Sequence, residues 1–384
     1  METLVLENCR LYDAPQDAAP VNVLVRDGRI AAIGRDVAEP GARTLDAGGR
    51  TLIPGLIDVH IHGAGGGDVM DGTPESLRTF ASTLARLGTT GFLGTTTALP
   101  DGVNRHLAVA AEYTGRDLGG ATMLGLHLEG PFVNPERKGG LPREALWPPT
   151  PAAVRDILEV TAGALRMMTI APELEGGLAA IETLAANGVI PSFGHSDATY
   201  EETKAGIAAG IRHATHLFNA MRPFHHREPG PLVALHEAEH VTVQLISDDV
   251  HVNRHVVAWT FRTFGPQRCN CTTDGIRVIG LPEGAHHFAG KTHVSSGGTA
   301  RYADGTLIGT AVPLLEIVHR FQRFTGCPFA TAVDTASRVP ARLLGLGDRK
   351  GAIAPGYDAD LVLLESDGSV YATLVGGRLV YRTE

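Results

Sequence analysis

Eight short apolar or β-branched runs, separated by segments with helical character, occupy the chain from about residue 54 to residue 351. The runs end near His62, Thr96, Glu129, Ala171, His195, His216, Ser247 and Asp274. Alternating strands and helices are typical of a parallel sheet, because neighbouring parallel strands need a long crossover connection. Eight such units in about 300 residues predict a (β/α)8 TIM-like barrel.

Local signals place helices between several of these runs. Thr73 precedes residues 74–87 as a predicted N-cap, and Gly188 ends a helical segment at residues 178–187. The sequence Thr-Tyr-Glu-Glu at residues 199–202 has the form of a capping box, which predicts a helix to about residue 209.

Both ends of the chain have the pattern of short strands joined by tight turns. Residues 21–25 and 29–33 flank Asp27-Gly28, a strong hairpin signal, and residues 360–364, 370–375 and 378–381 repeat this pattern. We therefore predict an α/β fold with two domains. Residues 1–53 and 352–384 form a small β-sandwich from both termini, and residues 54–351 form the catalytic barrel.

Composition restricts the partners of the chain. The net charge of −9 argues against nucleic acid and makes binding of an anionic substrate depend on a local cationic patch. The four cysteines form no regular framework, which favours reduced thiols in a cytoplasmic protein. We expect neither a signal peptide nor a membrane span, since no window has about 18 uninterrupted apolar residues.

The stretch PGLIDVHIHG at residues 54–63 carries the first chemical signal. His60 and His62 are two residues apart, so on a strand both side chains point to the same side and can converge on one metal ion. The alternative is a pair of polar residues where a strand reaches solvent. The neighbouring glycines do not favour a dinucleotide site, because residues 63–68 lack the last glycine of G-x-G-x-x-G.

Other predicted strand ends supply further candidate ligands. Glu129, His195, His216 and Asp274 each lie at such an end, and together with the two histidines they form a set that chance placement seldom produces. Nitrogen and carboxylate ligands suit zinc or a similar divalent ion. The absence of cysteine from this set favours a catalytic site with an open coordination position over a closed structural one.

Several motifs resemble the amidohydrolase superfamily and, within it, the enzymes that deacetylate amino sugar phosphates. They are PGLIDVHIHG, HLEGPF, GHSDA, ATHLFNAM, HHREPG, SDDVHV from Ser247, TTD ending at Asp274, and ARLLGL with KGAIAPGYDADLV from residue 341 to 362. The resemblance covers nearly the whole chain and implies the same barrel and β-sandwich. It implies a metal ion on Glu129, His195 and His216, with Asp274 as catalytic acid and base. His60 and His62 would hold a second ion, which only some members bind.

The activity that this resemblance implies is metal-dependent hydrolysis of the N-acetyl amide of N-acetylglucosamine 6-phosphate, which yields glucosamine 6-phosphate and acetate. Zinc is the expected metal, with one or two ions per subunit, and iron, cobalt or manganese are alternatives. The expected partner is a small amino sugar phosphate, and the expected assembly is a homodimer.

Substrate-binding residues are predicted around the mouth of the site. His225, His226, Arg227 and His251 form a local cationic cluster, and an arginine can bind a phosphate bidentately. In the resembled enzymes Arg227 and His251 would serve the sugar phosphate, with the neighbouring subunit contributing. The remaining predicted substrate contacts are Gly140, Asn219, Ala220, Leu307, Ile308, Gly309 and Thr310.

The chain also departs from the family pattern. Leu141 stands about where a histidine that contacts the substrate is expected, Gly275-Ile276 replaces the usual pair after Asp274, and residues 286–293 are unfamiliar. These departures leave the sugar and acyl preference open. Two alternatives follow: an amidohydrolase acting on another N-acetyl amino sugar or on a cyclic amide, and a metal-holding sugar-phosphate sensor without turnover. Retention of Asp274 argues against the sensor.

Overall fold

The computed structural model describes residues 3–15, 17–100, 102, 104–288 and 290–383. Its strands, in chain order, are β1 (Leu4–Leu11), β2 (Val21–Arg26), β3 (Arg29–Gly34), β4 (Arg43–Asp46), β5 (Thr51–Pro54), β6 (Leu56–Ile61), β7 (Gly63–Ala64), β8 (Gly67–Asp68), β9 (Thr89–Thr96), β10 (Thr122–Glu129), β11 (Leu165–Ile170), β12 (Ile190–Phe193), β13 (His213–Ala214), β14 (Thr242–Leu245), β15 (Cys269–Cys271), β16 (Gly284–Phe288), β17 (Lys291–Ser296), β18 (Thr299–Tyr302), β19 (Leu307–Thr310), β20 (Leu361–Leu364), β21 (Val370–Val375) and β22 (Arg378–Arg382).

The predicted helix signals are confirmed. The helices are α1 (Pro74–Arg86), α2 (Arg105–Tyr113), α3 (Pro151–Thr161), α4 (Gly177–Ala186), α5 (Tyr200–Ala209), α6 (Gly230–Glu237), α7 (Arg254–Phe264), α8 (Leu314–Thr325), α9 (Phe329–Thr335) and α10 (Arg338–Leu343). Thr73 caps α1 by accepting a bond from the Ser76 amide. Thr199 and Glu202 form the predicted capping box of α5, so each satisfies a backbone donor that the first helical turn leaves free.

The predicted barrel is confirmed. Eight parallel strands pair in the order β15-β14-β13-β12-β11-β10-β9-β6. The ring closes through the segment after β15, where the Asp274 amide donates to the His60 carbonyl at 2.9 Å and Ile61 pairs with Gly275. All residues of β6 and β9 are buried, as strands covered on both faces require.

The strands of the two termini join one sheet in the order β22-β21-β20-β5-β1-β2-β3, with β4 paired to β1. Asp27 and Gly28 both have positive φ, of 51° and 77°, as the predicted two-residue hairpin turn requires. Side chains from both ends, among them Leu6 and Leu361, share one core. The proposed domain boundaries at residues 53/54 and 351/352 stay a prediction.

An antiparallel sheet in the order β16-β17-β18-β19 interrupts the barrel pattern between β15 and α8. It contains the unfamiliar residues 286–288 and 290–293, whereas Ala289 lies outside the described residues. The four cysteines are buried and free, in agreement with the predicted absence of a disulfide framework. None of the described helices combines the length and the apolar character that a bilayer span requires.

Candidate metal and hydrolytic site

Six side chains with metal-binding or acid–base chemistry stand at the carboxyl ends of barrel strands. They are His60 in β6, His62 just after it, Glu129 at the end of β10, His195 after β12, His216 after β13 and Asp274 after β15. They form two groups that share Glu129, and within each group the potential ligand atoms lie within 4.8 Å of one another. The first group is His60, His62, Glu129 and Asp274, and the second is Glu129, His195 and His216.

Gln244 fixes the ring orientation of His60. The backbone amide of His216 donates to Gln244 Oε1 at 3.0 Å, which identifies this atom as the oxygen. The same oxygen lies 2.9 Å from His60 Nδ1 and can only accept, so Nδ1 carries the hydrogen. In the neutral form of the ring the lone pair is therefore on Nε2, which is buried without a hydrogen-bond partner and lies 3.2 Å from Asp274 Oδ1 and 3.4 Å from Glu129 Oε1.

In the second group a hydrogen bond again orients a histidine ring. His195 Nδ1 lies 2.8 Å from the Arg137 carbonyl oxygen, so Nδ1 donates and the lone pair of the neutral ring is on Nε2. This Nε2 lies 3.0 Å from Glu129 Oε1 and 3.0 Å from His216 Nε2. His216 Nε2 also lies 3.0 Å from Glu129 Oε1. Two imidazole nitrogens and one carboxylate oxygen thus converge on one point.

The backbone turns sharply at three of these residues. His195, His216 and Asp274 have φ of 48°, 27° and 48°, in the left-handed region that non-glycine residues seldom adopt. Each lies two or three residues beyond the end of a barrel strand. A positive φ there turns the backbone away from the direction of the strand. Strained backbone of this kind clusters at functional sites, because only the surrounding structure can hold it.

The electrostatics of the first group favour positive charge. Burial opposes protonation of His62, but hydrogen bonds to Asp274 and Glu129 outweigh burial and raise the pKa of His62 to about 10. Burial likewise opposes ionisation of Asp274, yet His60 and His62 hold the pKa of its carboxyl below the usual range. The pKa of Glu129 is also held well below its usual range, since His60, His195 and His216 outweigh burial.

These residues fit a divalent metal ion. The unpartnered Nε2 of His60, the converging nitrogens of His195 and His216, and two buried carboxylates offer ligand atoms close enough together to share an ion. Imidazole nitrogen and carboxylate oxygen are the donors that zinc and similar ions take at catalytic sites.

Asp58 supports the loop that carries Asp274, and sequence analysis missed it. Its carboxylate is buried and accepts from the hydroxyl groups of Thr272 and Thr273, each at 2.6 Å, and from the His60 amide at 3.1 Å. Thr273 Oγ1 in turn accepts from the Gly275 amide at 3.0 Å. The signal was present in the sequence, because an aspartate inside a fully buried strand requires bonded partners.

A cavity of about 380 Å³ opens above the two groups, within the usual size of a small-molecule site. Of the predicted site residues it is lined by His62, Gly140, Glu129, His195, His216, Asn219, Ala220, His251, Asp274, Leu307, Ile308 and Gly309. His60 lies beneath this surface and is fully buried.

Two predicted substrate residues do not line this cavity. The prediction for Thr310 is corrected: it is fully buried, its hydroxyl donates to the Thr273 carbonyl at 2.9 Å, and its amide donates to the Asp274 carbonyl at 3.0 Å. It therefore supports the loop that follows β15 and does not line the cavity. Arg227 is exposed and lies outside the cavity of its own chain.

His251 reaches the cavity in a fixed orientation. Its Nδ1 lies 2.6 Å from Asp248 Oδ2, and the Asp248 carboxylate also accepts from the backbone amides of Val250 and His251. Burial opposes ionisation of Asp248, but these bonds lower the pKa of its carboxyl. The carboxylate holds the hydrogen on Nδ1 and leaves Nε2 as the free ring atom.

The antiparallel sheet contributes three further residues that sequence analysis did not assign. Lys291 and His293 of β17 and Tyr302 of β18 line the cavity, and so does Leu141. Leu141 occupies the place where the family resemblance leads one to expect a histidine. The cavity thus has an apolar side chain at Leu141 and an imidazole at His293 of β17.

Comparisons with known proteins agree with this architecture. Residues 51–380 match the Amidohydrolase family. An N-acetylglucosamine-6-phosphate deacetylase of Bacillus subtilis is 35% identical over 386 residues, which cover 99% of this chain and 98% of the relative. A solved structure of a mutant N-acetyl-D-glucosamine-6-phosphate deacetylase from Mycobacterium smegmatis, in complex with N-acetyl-D-glucosamine-6-phosphate, is 34% identical, covers 99% of both chains and has a TM-score of 0.88. An N-acetylgalactosamine-6-phosphate deacetylase of Escherichia coli O157:H7 is 34% identical over 358 residues, which cover 92% of this chain and 93% of the relative.

Proposed function

Since this chain belongs to the amidohydrolase family, we propose that it hydrolyses the acetamide of N-acetylglucosamine 6-phosphate to glucosamine 6-phosphate and acetate. The observation that carries this proposal is one cavity, in which Asp274 faces the converging ligand atoms of Glu129, His195 and His216. A hydrolase of this family needs a metal site and a proton-transfer group together, and this cavity offers both.

Metal dependence is a property of the family. In this chain Glu129, His195 and His216 would hold one ion, and His60 and His62 would hold a second. We propose zinc, because the donors are imidazole and carboxylate without thiolate. A bound ion supplies Lewis-acid chemistry, which polarises the acyl oxygen and lowers the pKa of a water molecule.

Asp274 is the proposed proton carrier. The low pKa of its carboxyl means that it is ionised at neutral pH and free to accept a proton from the attacking water. As the carbon–nitrogen bond breaks, the same carboxyl returns this proton to the departing amine, so acetate and the free amino sugar leave. His60 and His62 lie 3.2 and 3.4 Å from Asp274 Oδ1 and hold it in place.

The upper cavity supplies the proposed substrate contacts. Asn219, Ala220 and Gly140 line one part of it, and Leu307, Ile308 and Gly309 line another. With its hydrogen on Nδ1, His251 offers the lone pair of Nε2 to a hydroxyl group of the sugar.

Arg227 is proposed to act from a partner subunit in a homodimer. It is exposed, has no carboxylate partner among the described residues and follows Phe224, which is 59% exposed. An exposed aromatic side chain beside unpaired cationic groups suits a surface that a second copy covers.

Deacetylation of another amino sugar phosphate is the second candidate. The apolar side chain of Leu141 and the relative that acts on N-acetylgalactosamine 6-phosphate favour it over cleavage of a cyclic amide. Both candidates need the same metal and the same proton transfer, so they differ only in which hydroxyl groups the cavity accepts.

Acetate release from a panel of substrates tests the proposal. Metal-saturated protein is assayed with N-acetylglucosamine 6-phosphate, N-acetylgalactosamine 6-phosphate, unphosphorylated N-acetylglucosamine and a cyclic amide, with the Asp274→Asn variant as control. The highest kcat/KM is expected for N-acetylglucosamine 6-phosphate. A preference for the galactosamine epimer would select the second candidate, and binding without any acetate release would overturn both in favour of a sensor.

A further inference from the structure

We propose that β17 and β18 carry an anion contact of the same subunit, in which Lys291 binds the phosphate of the substrate beside His293. This inference rests on the proposed function for the identity of its ligand. Sequence patterns and the family resemblance assign no role to these residues, and the segment that contains them departs from the family pattern.

The strand geometry brings the residues of this contact together. Lys291 and His293 are two residues apart on β17, so their side chains share one face of the antiparallel sheet. Tyr302 on β18 pairs with His293 in register, which places its ring on that same face, and the two ring centroids are 5.6 Å apart. All three residues line the cavity that contains Asp274. The shared face is therefore the cavity face.

Lys291 is a cation without a carboxylate. Its Nζ lies 5.4 Å from the centroid of the Tyr302 ring, and no ion pair involves it in the parts of the chain that the structure describes. Among the described residues that line the cavity, it is the one lysine or arginine. The nearby Arg277 is already paired, at 3.2 Å to Asp68 and 3.1 Å to Asp71. A phosphate that enters this cavity thus meets one ammonium group of the same subunit that has no carboxylate partner.

His293 adds a hydrogen-bonding group next to this cation. Its Nδ1 is buried without a partner among the described residues. Burial, and then the charges of Arg277 and Lys291, lower the pKa of His293, so the ring is neutral at physiological pH. A neutral imidazole keeps one donor and one acceptor, and can donate to a phosphate or sugar oxygen without a second full charge.

The distribution of charge in the cavity favours phosphate at this contact. Its floor contains Glu129 and Asp274, which repel an anion, so a phosphate is favoured at the wall that carries the cation. Lysine binds phosphate as a point charge and tolerates a range of positions. Lys291 would therefore select phosphorylated over unphosphorylated sugars, while Asp274 and the metal ligands perform the hydrolysis.

Lys291→Gln tests the proposal against a matched control, Lys204→Gln. Lys204 lies on the exposed side of α5, and its Nζ also stands over a tyrosine ring, 5.1 Å from the Tyr200 centroid. Both variants remove one charge and one cation–π contact, but only the first changes the cavity. Loss of a charge-assisted bond to phosphate should raise KM for N-acetylglucosamine 6-phosphate about tenfold in Lys291→Gln, with kcat within about twofold. Lys291→Arg should restore most of the affinity.

Three outcomes decide the matter. The proposal is supported when Lys291→Gln raises KM for the phosphorylated sugar but not for unphosphorylated N-acetylglucosamine, and when Lys204→Gln changes neither. The proposal is overturned when Lys291→Gln and Lys204→Gln have the same KM for the phosphorylated sugar. It is also overturned when Lys291→Gln raises KM equally for both sugars. Inorganic phosphate, measured by calorimetry on the wild type and Lys291→Gln, gives a readout that needs no turnover. If the wild type releases no acetate yet binds phosphate in a manner that depends on Lys291, the proposed function fails and the anion contact stands.

Discussion

The Nε2 atoms of His195 and His216 lie 3.0 Å apart, and each also lies 3.0 Å from the same carboxylate oxygen of Glu129. The Arg137 carbonyl takes the hydrogen of the other nitrogen of His195, so the lone pair of His195 Nε2 faces this anionic oxygen. Such an arrangement favours a bound cation, because a lone pair and an anionic oxygen at this distance repel each other. We therefore expect metal binding to stabilise the folded barrel.

We predict at least one equivalent of a divalent ion per subunit in purified, metal-saturated protein. Removal of the ion by a chelator should lower the melting temperature, because an ion at about a hundred times its Kd stabilises the fold by about 2.7 kcal/mol. Elemental analysis and thermal unfolding measure the two effects. Less than about half an equivalent of any transition metal would contradict the prediction.

Two variants distinguish the two groups of ligands. Glu129→Gln should lose all bound metal, since Glu129 belongs to both groups, whereas the double change of His60 and His62 to glutamine should keep the ion on Glu129, His195 and His216. Retention of the full metal content in Glu129→Gln would remove Glu129 from the ligand set.

Asp274→Asn is predicted to keep the fold and the metal but to lower turnover about a hundredfold or more, the usual scale for the loss of a general acid–base group. The amide has nearly the same shape as the carboxylate but cannot carry a proton from water to the amine. Steady-state kinetics measure the effect, and circular dichroism with elemental analysis serves as the control. Turnover within a few-fold of the wild type would exclude Asp274 from the proton transfer.

Asp58→Asn is predicted to lower kcat about tenfold and the free energy of unfolding by about 1–3 kcal/mol, since a buried acceptor is replaced in part by a donor. Thr272 and Thr273 donate their hydroxyl hydrogens to this carboxylate, and the amide group of asparagine would compete with one of them. The loop that carries Asp274 would then lose its alignment while the substrate cavity stays intact.

Denaturant unfolding and steady-state kinetics measure the two effects, and Thr272→Val serves as the companion variant because it removes a donor from the same network. KM should stay within about twofold in both variants, since neither residue lines the cavity. Unchanged kcat in Asp58→Asn would mean that the network supports folding alone.

The sequence predicted the fold well because its signals are local and repeated. Strand and helix periods alternate eight times, and five of the eight barrel strands end beside a residue with recognisable chemistry, so the positions of His60, Glu129 and Asp274 follow from topology. Lys291 and Tyr302 could not be found in this way. They lie on an antiparallel sheet inserted after β15, and only the pairing of β17 with β18 brings them to the cavity.

Thr310 shows a second limit of sequence patterns. Residues 307–310 are consecutive and predict one shared substrate contact, but the buried amide and hydroxyl of Thr310 hold the backbone around Asp274 instead. Asp58 was overlooked for a related reason, since an alternating or apolar pattern does not reveal which buried polar group has partners. Hydrogen bonds between distant segments decide both cases.

Arg227→Ala is predicted to raise KM for N-acetylglucosamine 6-phosphate about tenfold or more, with much less effect on unphosphorylated N-acetylglucosamine, because a charge-assisted bond to phosphate is lost. Steady-state kinetics on the two sugars measure it. Equal loss on both sugars would mean that Arg227 is structural, and a wild type that prefers the unphosphorylated sugar would overturn the substrate assignment.

Arg227 is exposed and lies outside the cavity of its own chain. A further experiment can therefore test whether Arg227 serves the site of its own subunit or that of the partner subunit. When Asp274→Asn and Arg227→Ala subunits are mixed and allowed to exchange, a mixed dimer has one site with an intact Asp274 and an intact Arg227 of the partner subunit. Activity at low substrate concentration should therefore rise above that of either variant alone. If Arg227 served its own subunit, every site in the mixture would keep one defect and no activity would return, and a monomer in light scattering would contradict the shared pocket directly.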